Sequence, residues 1–305
     1  MNTQVIGVVF LDIKGFPFGN YDPRGTNLGD IVMTHGGVAR NVAEDMANLG
    51  ENVDMITMVN DDALGHEMKD RLEEAGVSLE NAIVTRQKGM GMWLAVFNEQ
   101  NDLTGSISQM PKPEPMEQAF SEKGEEIIRR ADTVVLEMDV SEKLSERVIE
   151  LCNRYNKNVY VIVANMSVIL ARRDLMYKTS CIILNEIEAG RLFDTNLQHL
   201  TPEQMLACAK PLAEKAGIRQ MVITMGSNGC VYMDFERQVF GHCPPIPTVV
   251  QDTTGAGDAF FSATVTALSN GKKLEDAVKY GTKLASLTLS TPESVCPRVG
   301  KEFFR

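Results

Sequence analysis

The sequence predicts an α/β fold in which a central, mostly parallel sheet is flanked by helices and a small second β-sheet stands off it. Strand-length apolar runs alternate with helix-length amphipathic segments along most of the chain, the pattern of a parallel sheet covered on its faces. Two stretches break that alternation. Residues 14–29 are rich in Gly, Pro, Asn and Asp, and residues 89–108 hold a β-like core at 92–97 followed by polar turn formers. A chain of 305 residues that is 44% hydrophobic can bury one large core of this kind.

Taken in order, the apolar runs predict strands at residues 5–11, 53–59, 133–137, 159–164, 181–184 and 220–224. Amphipathic stretches between them predict helices at 40–49, 64–75, 142–155 and 202–216. The last of these has start chemistry, with Thr201 as N-cap, Pro202 at the first position and Gln204 three residues after the cap. Pro211 inside it is expected to bend it. No repeat and no Pro/Ser-rich linker interrupts the series, so one domain spanning residues 1–305 is expected.

Composition narrows the function. A formal net charge of −11 argues against a nucleic-acid partner, whose binding is supplied mainly by Lys and Arg meeting phosphates. It leaves nucleotides open, since backbone amides at a helix start hold phosphate without positive side chains. The opening apolar run is too short to span a bilayer and lacks the charged start of a signal peptide, so no membrane association and a cytoplasmic location are expected. Six scattered cysteines show no zinc spacing and are expected as reduced, mostly buried thiols.

The segment richest in chemistry is Asp252-Thr253-Thr254-Gly255-Ala256-Gly257-Asp258-Ala259-Phe260, where a turn of small residues opens a helix-like run at 259–268. Gly255, Ala256 and Gly257 let another group approach the main chain, and their amides with the helix dipole favour an anion there. A carboxylate at Asp258 is out of place beside an anion that merely binds. It suits one that removes a proton from an attacking hydroxyl, which is the geometry of phosphoryl transfer. Taken alone, Asp252 and Asp258 also read as helix-start carboxylates.

That string resembles the second signature of the ribokinase-like (PfkB) carbohydrate kinase family, and other parts of the family pattern follow in order. Gly36-Gly37-Val38-Ala39-Arg40-Asn41 resembles its substrate-binding G-G-x-x-x-N, with Gly36 and Gly37 admitting sugar hydroxyls to the backbone and Asn41 offering a donor and an acceptor. The run from Gly7 to Asp12 resembles G-x-x-x-x-D, whose aspartate grips sugar hydroxyls, and Glu137 stands where relatives place an acidic substrate ligand. Asn185-Glu186-Ile187-Glu188 resembles the family's N-x-x-E, in which Asn185 faces nucleotide phosphates and Glu188 organises Mg2+ through water, although by itself Glu188 reads as a solvated helix-start charge. Thr224 to Gly229 is similar to the turn beneath the nucleotide, which makes Thr224 and Gly226 ATP contacts, although a plain hairpin turn explains the same letters; Thr254, in the 252–260 string, is also expected to contact ATP.

The resemblance covers essentially the whole chain. It implies a Rossmann-like core with a β-sheet lid at about 12–33 and 89–110, and a homodimer clasped through the lids. It also implies a kinase that moves phosphate from ATP, with Mg2+, to a primary hydroxyl of a small sugar or nucleoside. Asp258 is then the base and residues 255–257 the anion hole, while Asp252 with residues 290–297 is similar to the monovalent-cation loop of potassium-stimulated relatives.

Within the family, residues 36–43 look most like pseudouridine kinases, which carry arginine before the asparagine, and Val140-Ser141-Glu142 is also similar. Ala164-Asn165-Met166-Ser167 departs from the D-P-V-S usual there, and Phe10 replaces an asparagine typical of ribokinase. Phe16 and Phe18 are expected either to stack on a base or to pack the lid. A free-sugar kinase, for ribose or fructose, and a non-catalytic sensor on the same fold are the alternatives. A NAD dehydrogenase and a Walker ATPase are not, because neither G-x-G-x-x-G after the first strand nor G-x-x-x-x-G-K-[ST] occurs.

Overall fold

The apolar run at residues 5–11, expected as one strand, is two. The computed structural model, which describes residues 1–86 and 88–305 and all their side chains except those of Ser167 and Val168, places β1 at Asn2–Ile6 and β2 at Phe10–Pro17. Gly7 makes the break, because a Cβ there would sit 2.4 Å from the Ala39 Cβ and 2.6 Å from a Glu137 carboxylate oxygen. The Val8 amide then donates to that carboxylate at 2.8 Å. β1 stays in the core, whereas β2 climbs out to pair antiparallel with β3 (Gly29–Gly36). The run at 53–59 divides likewise, into β4 (Asn52–Ile56) and β5 (Met58–Asn60). The break is Thr57, whose carbonyl accepts from the Ile83 amide at 2.8 Å. Beyond the short β6 (Val77–Ser78), β7 (Ile83–Thr85) pairs with β5.

The remaining core strands are β10 (Thr133–Glu137), β11 (Asn158–Ile162), β12 (Ile182–Asn185), β13 (Gln220–Thr224), β14 (Cys230–Asp234) and β15 (Val239–Cys243). The order β6-β4-β1-β10-β11 is parallel throughout. One parallel bridge, Tyr160 to Cys181, joins it to β12-β13-β14-β15, of which only the last two pairings are antiparallel. Successive residues of a strand feed opposite faces: Val134 and Leu136 enter one core, Val135 the other. Each such buried aliphatic side chain stabilises the fold by roughly 1.5–3 kcal/mol.

Helices cover both faces. On one lie α1 (Val38–Asn48), α2 (Ala63–Ala75), α9 (Ala256–Ser269) and α10 (Leu274–Leu289). On the other lie α3 (Glu114–Arg130), α4 (Glu142–Arg154), α5 (Met166–Leu170), α6 (Arg173–Met176), α7 (Glu186–Leu192) and α8 (Pro202–Lys215). α1 starts two residues before its expected position because Gly37, at φ 101°, caps it in a backbone conformation that L side chains rarely adopt. The Thr201–Gln204 capping box of α8 forms as expected, and the helix continues through Pro211. α3 and α10 were not expected, although Met116, Phe120, Gly124 and Ile128 recur at every fourth position of α3.

The second sheet has the order β3-β2-β8-β9, with β8 at Gly91–Phe97 and β9 at Leu103–Gln109. It grows from the two irregular stretches that broke the alternation. Residues 29–34 of β3 and 103–108 of β9 are exposed on both faces, so this sheet is held to the body only along its base.

Candidate active site

The start of α9 is shaped by one glycine. Gly255 caps the helix at φ 77°, and a Cβ there would fall 1.8 Å from the Ser294 carbonyl oxygen, so no other residue fits without moving the 290–297 loop. No side chain caps the helix, and the amide of its first residue, Ala256, makes only a long 3.4 Å bond to the Thr253 carbonyl. Gly257, one residue into the first turn, has no atom within 4 Å of a Cβ position and faces open space. Asp252 braces the approach by accepting from both the amide and the hydroxyl of Thr254 at 2.8 Å, bonds that hold its carboxyl below the usual range.

Asp258 stands half-buried in that first turn, and the Asn41 Nδ2 donates to its Oδ2 at 2.7 Å. Burial raises the Asp258 pKa to about 6, against the pull of that hydrogen bond and of the Arg40 charge. Asn41 Oδ1 is buried without a partner, an acceptor held ready for a donor from outside the chain. Asp258 and Asn41 share a cleft of about 910 Å³ with Asp12, Gly36, Gly37 and Glu137, so the five expected substrate residues converge as a group. The Gly36 turn lies directly against the Asp12 carboxylate, which a Cβ at Gly36 would approach to 2.6 Å. On the lid side the cleft is walled by Phe10, Met33, Trp93 and Met110.

A second cleft of about 510 Å³ lies on the other side of the α9 start. Thr224 and Gly226 line it with an apolar set that includes Ile246, Val250, Phe260 and Leu289. Gly255 faces the first cleft and Ala256 and Gly257 the second. Thr254 and Asp252 lie on the first. The expected turn is a hairpin between β13 and β14, bent around a 3-10 turn at Gly226–Asn228.

Asn185 and Glu188 have a local task at a helix start. Asn185 Oδ1 accepts from the amides of Ile187 and Glu188, and Glu188 Oε2 accepts from the Asn185 amide at 2.9 Å, a capping box that starts α7. Neither lines the two clefts, yet the Glu188 charge acts on Asp258. Phe16 and Phe18 do not reach the first cleft. Phe16 stacks on Phe97 at 4.9 Å within the lid, and Phe18 is 73% exposed.

Sequence reasoning missed Asp139 and Trp93 and had Ser294 only as part of the 290–297 stretch. Asp139 has a visible signal, being two residues beyond Glu137 at the same strand end, and its carboxylate accepts from the Ala164 amide at 3.2 Å. Burial and the neighbouring Asp139 charge push Glu137 up to about 8. It is therefore largely protonated at neutral pH, with Oε2 occupied by Val8. An acid whose folded pKa is raised binds more protons folded than unfolded, so its contribution to stability is lost as pH rises between 4.5 and about 8. Glu137→Gln keeps the acceptor for Val8 and removes the charge. The melting temperature of the variant is expected to rise progressively above that of the wild type across this window, read by calorimetry at a series of pH values.

Residues 4–297 match the model described as pfkB family carbohydrate kinase. A guanosine-inosine kinase of Exiguobacterium acetylicum is 35% identical over 290 residues, covering 95% of each chain. The pseudouridine kinase of Escherichia coli is 23% identical over 94% of this chain and 90% of its own. In fold, the structure of Arabidopsis thaliana ribokinase complexed with ribose and ATP superimposes with a TM-score of 0.83 at 22% identity, covering 97% of this chain and 96% of that one.

Proposed function

The chain belongs to the pfkB family of carbohydrate kinases, and on that premise we propose that it transfers the γ-phosphoryl group of ATP to the primary ribosyl hydroxyl of a nucleoside. The observation that carries the transfer reading is the placement of residues 255–258. Gly255 and Asp258 face one cleft and Ala256 and Gly257 the other, so a phosphoryl group crossing between them passes over this turn.

Asp258 is the base in this reading. A carboxylate with pKa about 6 is ionised at neutral pH yet basic enough to take the hydroxyl proton as that oxygen bonds to phosphorus and the bond to the ADP oxygen breaks. The bond from Asn41 fixes Oδ2 and leaves Oδ1 for the hydroxyl. The amides of 255–257 meet the charge on the transferred oxygens. Asp12, Gly36, Gly37 and Asn41 hold the sugar, and protonated Glu137 offers it an O–H rather than a charge.

Thr224 and Gly226, with the apolar wall between Ile246 and Leu289, suit an adenine ring. Among the described residues no three His, Cys, Asp or Glu side chains converge as a metal cage. Glu188, whose charge is felt at Asp258, is the residue that would hold Mg2+ indirectly, and the ion would neutralise phosphate charge when bound. Asp252, which stays ionised, is the proposed anchor of a monovalent-cation loop with 290–297, and equal rates in potassium and sodium would remove that role. The exposed apolar side chains of the lid, Leu28, Ile31 and Ile107 among them, support a homodimer clasped there.

The nucleoside preference rests on the wall of Phe10, Trp93, Met33 and Met110, which offers a base an apolar and aromatic surface that a free sugar cannot use. In a coupled ADP-release assay with ATP and Mg2+, inosine, guanosine and pseudouridine are expected to exceed ribose and fructose in kcat/KM by on the order of 100-fold, the worth of about 2–3 kcal/mol of base contact. Ribose as the best acceptor would overturn the preference and leave the kinase reading intact. Among the described residues no helix is long and apolar enough to cross a membrane.

A further inference from the structure

Among the described residues Arg40 is the largest fully buried side chain, and it sits beside the proposed base. Its guanidinium spends its donors on three separate segments. Nη1 reaches Glu44 at 3.0 Å, Nε reaches the Gly36 carbonyl at 3.4 Å, and Nη2 reaches the His35 carbonyl and, at 3.4 Å, the Ser294 hydroxyl. Glu44 in turn holds Arg71 of α2 at 3.0 Å, and Arg71 extends to Glu293 at 3.6 Å. This network, buried at Arg40 and Glu44 and exposed at Glu293, thus joins the acceptor turn at 35–37 to the loop whose Ser294 carbonyl packs on Gly255. Burying a cation is costly, and one Glu44 carboxylate shared between two arginines does not by itself explain the expense.

The surroundings of Asp258 explain it better. Asn41, Arg40 and Asp45 face it from α1, Glu137 from β10 and Glu188 from α7, while α10 packs on the same helix through Gly281 against Phe260 and Thr264. In that ring Arg40 is the cation, set among carboxylates. We propose that Arg40 is a positioning residue for the transfer step: it ties the acceptor turn to the loop that backs the anion nest, and it supplies the permanent positive charge set against Asp258. The inference rests on the phosphoryl-transfer reading above. The same charge draws Asp12, Asp45 and Asp258 downward against the burial that raises all three.

The test uses Arg40→Met and Arg40→Lys in the full chain, with ATP, Mg2+ and whichever of inosine, guanosine, pseudouridine or ribose turns over fastest. Arg40→Met is expected to lower kcat by on the order of 10- to 100-fold and to move the acid limb of kcat/KM up by roughly one pH unit or more. Arg40→Lys, which keeps the charge and loses the fork, is expected to return the limb to its wild-type position while kcat stays about tenfold low. A limb that does not move in Arg40→Met, or that Arg40→Lys does not restore, overturns the proposal. If Arg40→Met does not fold, wild-type kcat in Arg40→Lys overturns it instead. Asp258→Asn in the same assay separates the two readings. Wild-type turnover there removes phosphoryl transfer by this base, whereas an inactive Asp258→Asn beside an unmoved limb in Arg40→Met removes only the role of Arg40.

Discussion

Asp258→Asn is expected to lower kcat by on the order of 10² to 10⁴ while ATP affinity stays within about threefold. The amide has nearly the same shape, so Asn41 and the helix start lose little packing, but the side chain no longer accepts a proton. The pH profile separates loss of a base from a general disturbance. Asp258 titrates near 6, so wild-type kcat/KM should fall about tenfold per unit once pH drops below about 6, as the carboxylate is protonated. The residual activity of the variant should lack that limb. Burial is what places the limb so near neutrality, since it raises the carboxyl from its ordinary value of 3.8. A variant with wild-type turnover at pH 7.5 would sink the assignment.

The two glycines of the turn should respond in opposite ways to the same substitution. Gly255→Ala puts a Cβ 1.8 Å from the Ser294 oxygen in a backbone conformation with φ 77°. The left-handed backbone alone costs about 1–2 kcal/mol, and pushing the loop away adds to it. The expected result is a melting temperature lower by several degrees, at roughly 2–4 °C per kcal/mol, with activity lost by about 100-fold or more. At Gly257 the Cβ meets nothing within 4 Å. Gly257→Ala is expected to hold or raise the melting temperature, since alanine is better by about 0.5–1 kcal/mol within a helix, and still to reduce kcat/KM for ATP by about tenfold or more. Scanning calorimetry with initial-rate kinetics reads both. A Gly257→Ala protein with unchanged ATP kinetics would remove that amide from the phosphate path.

The parts legible in the sequence are those whose information is local. Strands buried on both faces read as apolar runs, so β10 and β13 fall where expected, and the Thr201 box fixes the start of α8. The turn at 252–258 was legible because glycine spacing and a helix start are neighbours in the chain. What failed was non-local. Nothing in residues 5–11 says that Gly7 meets Ala39 and Glu137, the contact that divides the run into β1 and β2. The rings of Phe16 and Phe18 are the right chemistry for a base, but only the fold shows that Phe16 is spent on Phe97. Asn185 and Glu188 illustrate a motif with two readings. Their spacing fits a capping box as well as a metal shell, and the structure shows the box. Ser294 falls in the 290–297 stretch expected as a cation loop, but nothing local says that its carbonyl lies against Gly255.

Trp93 on the lid strand β8 has a consequence for how binding can be watched. It is the only tryptophan in the chain, and it lines the first cleft, the proposed acceptor site, and not the second, the proposed nucleotide site. Intrinsic emission excited at the indole band therefore reports from one half of the site. A ligand entering the first cleft beside that ring changes its polarity directly, whereas one confined to the second cleft does not touch it. The order in which the two substrates bind is thus readable from the unmodified protein, without a dye or an added label.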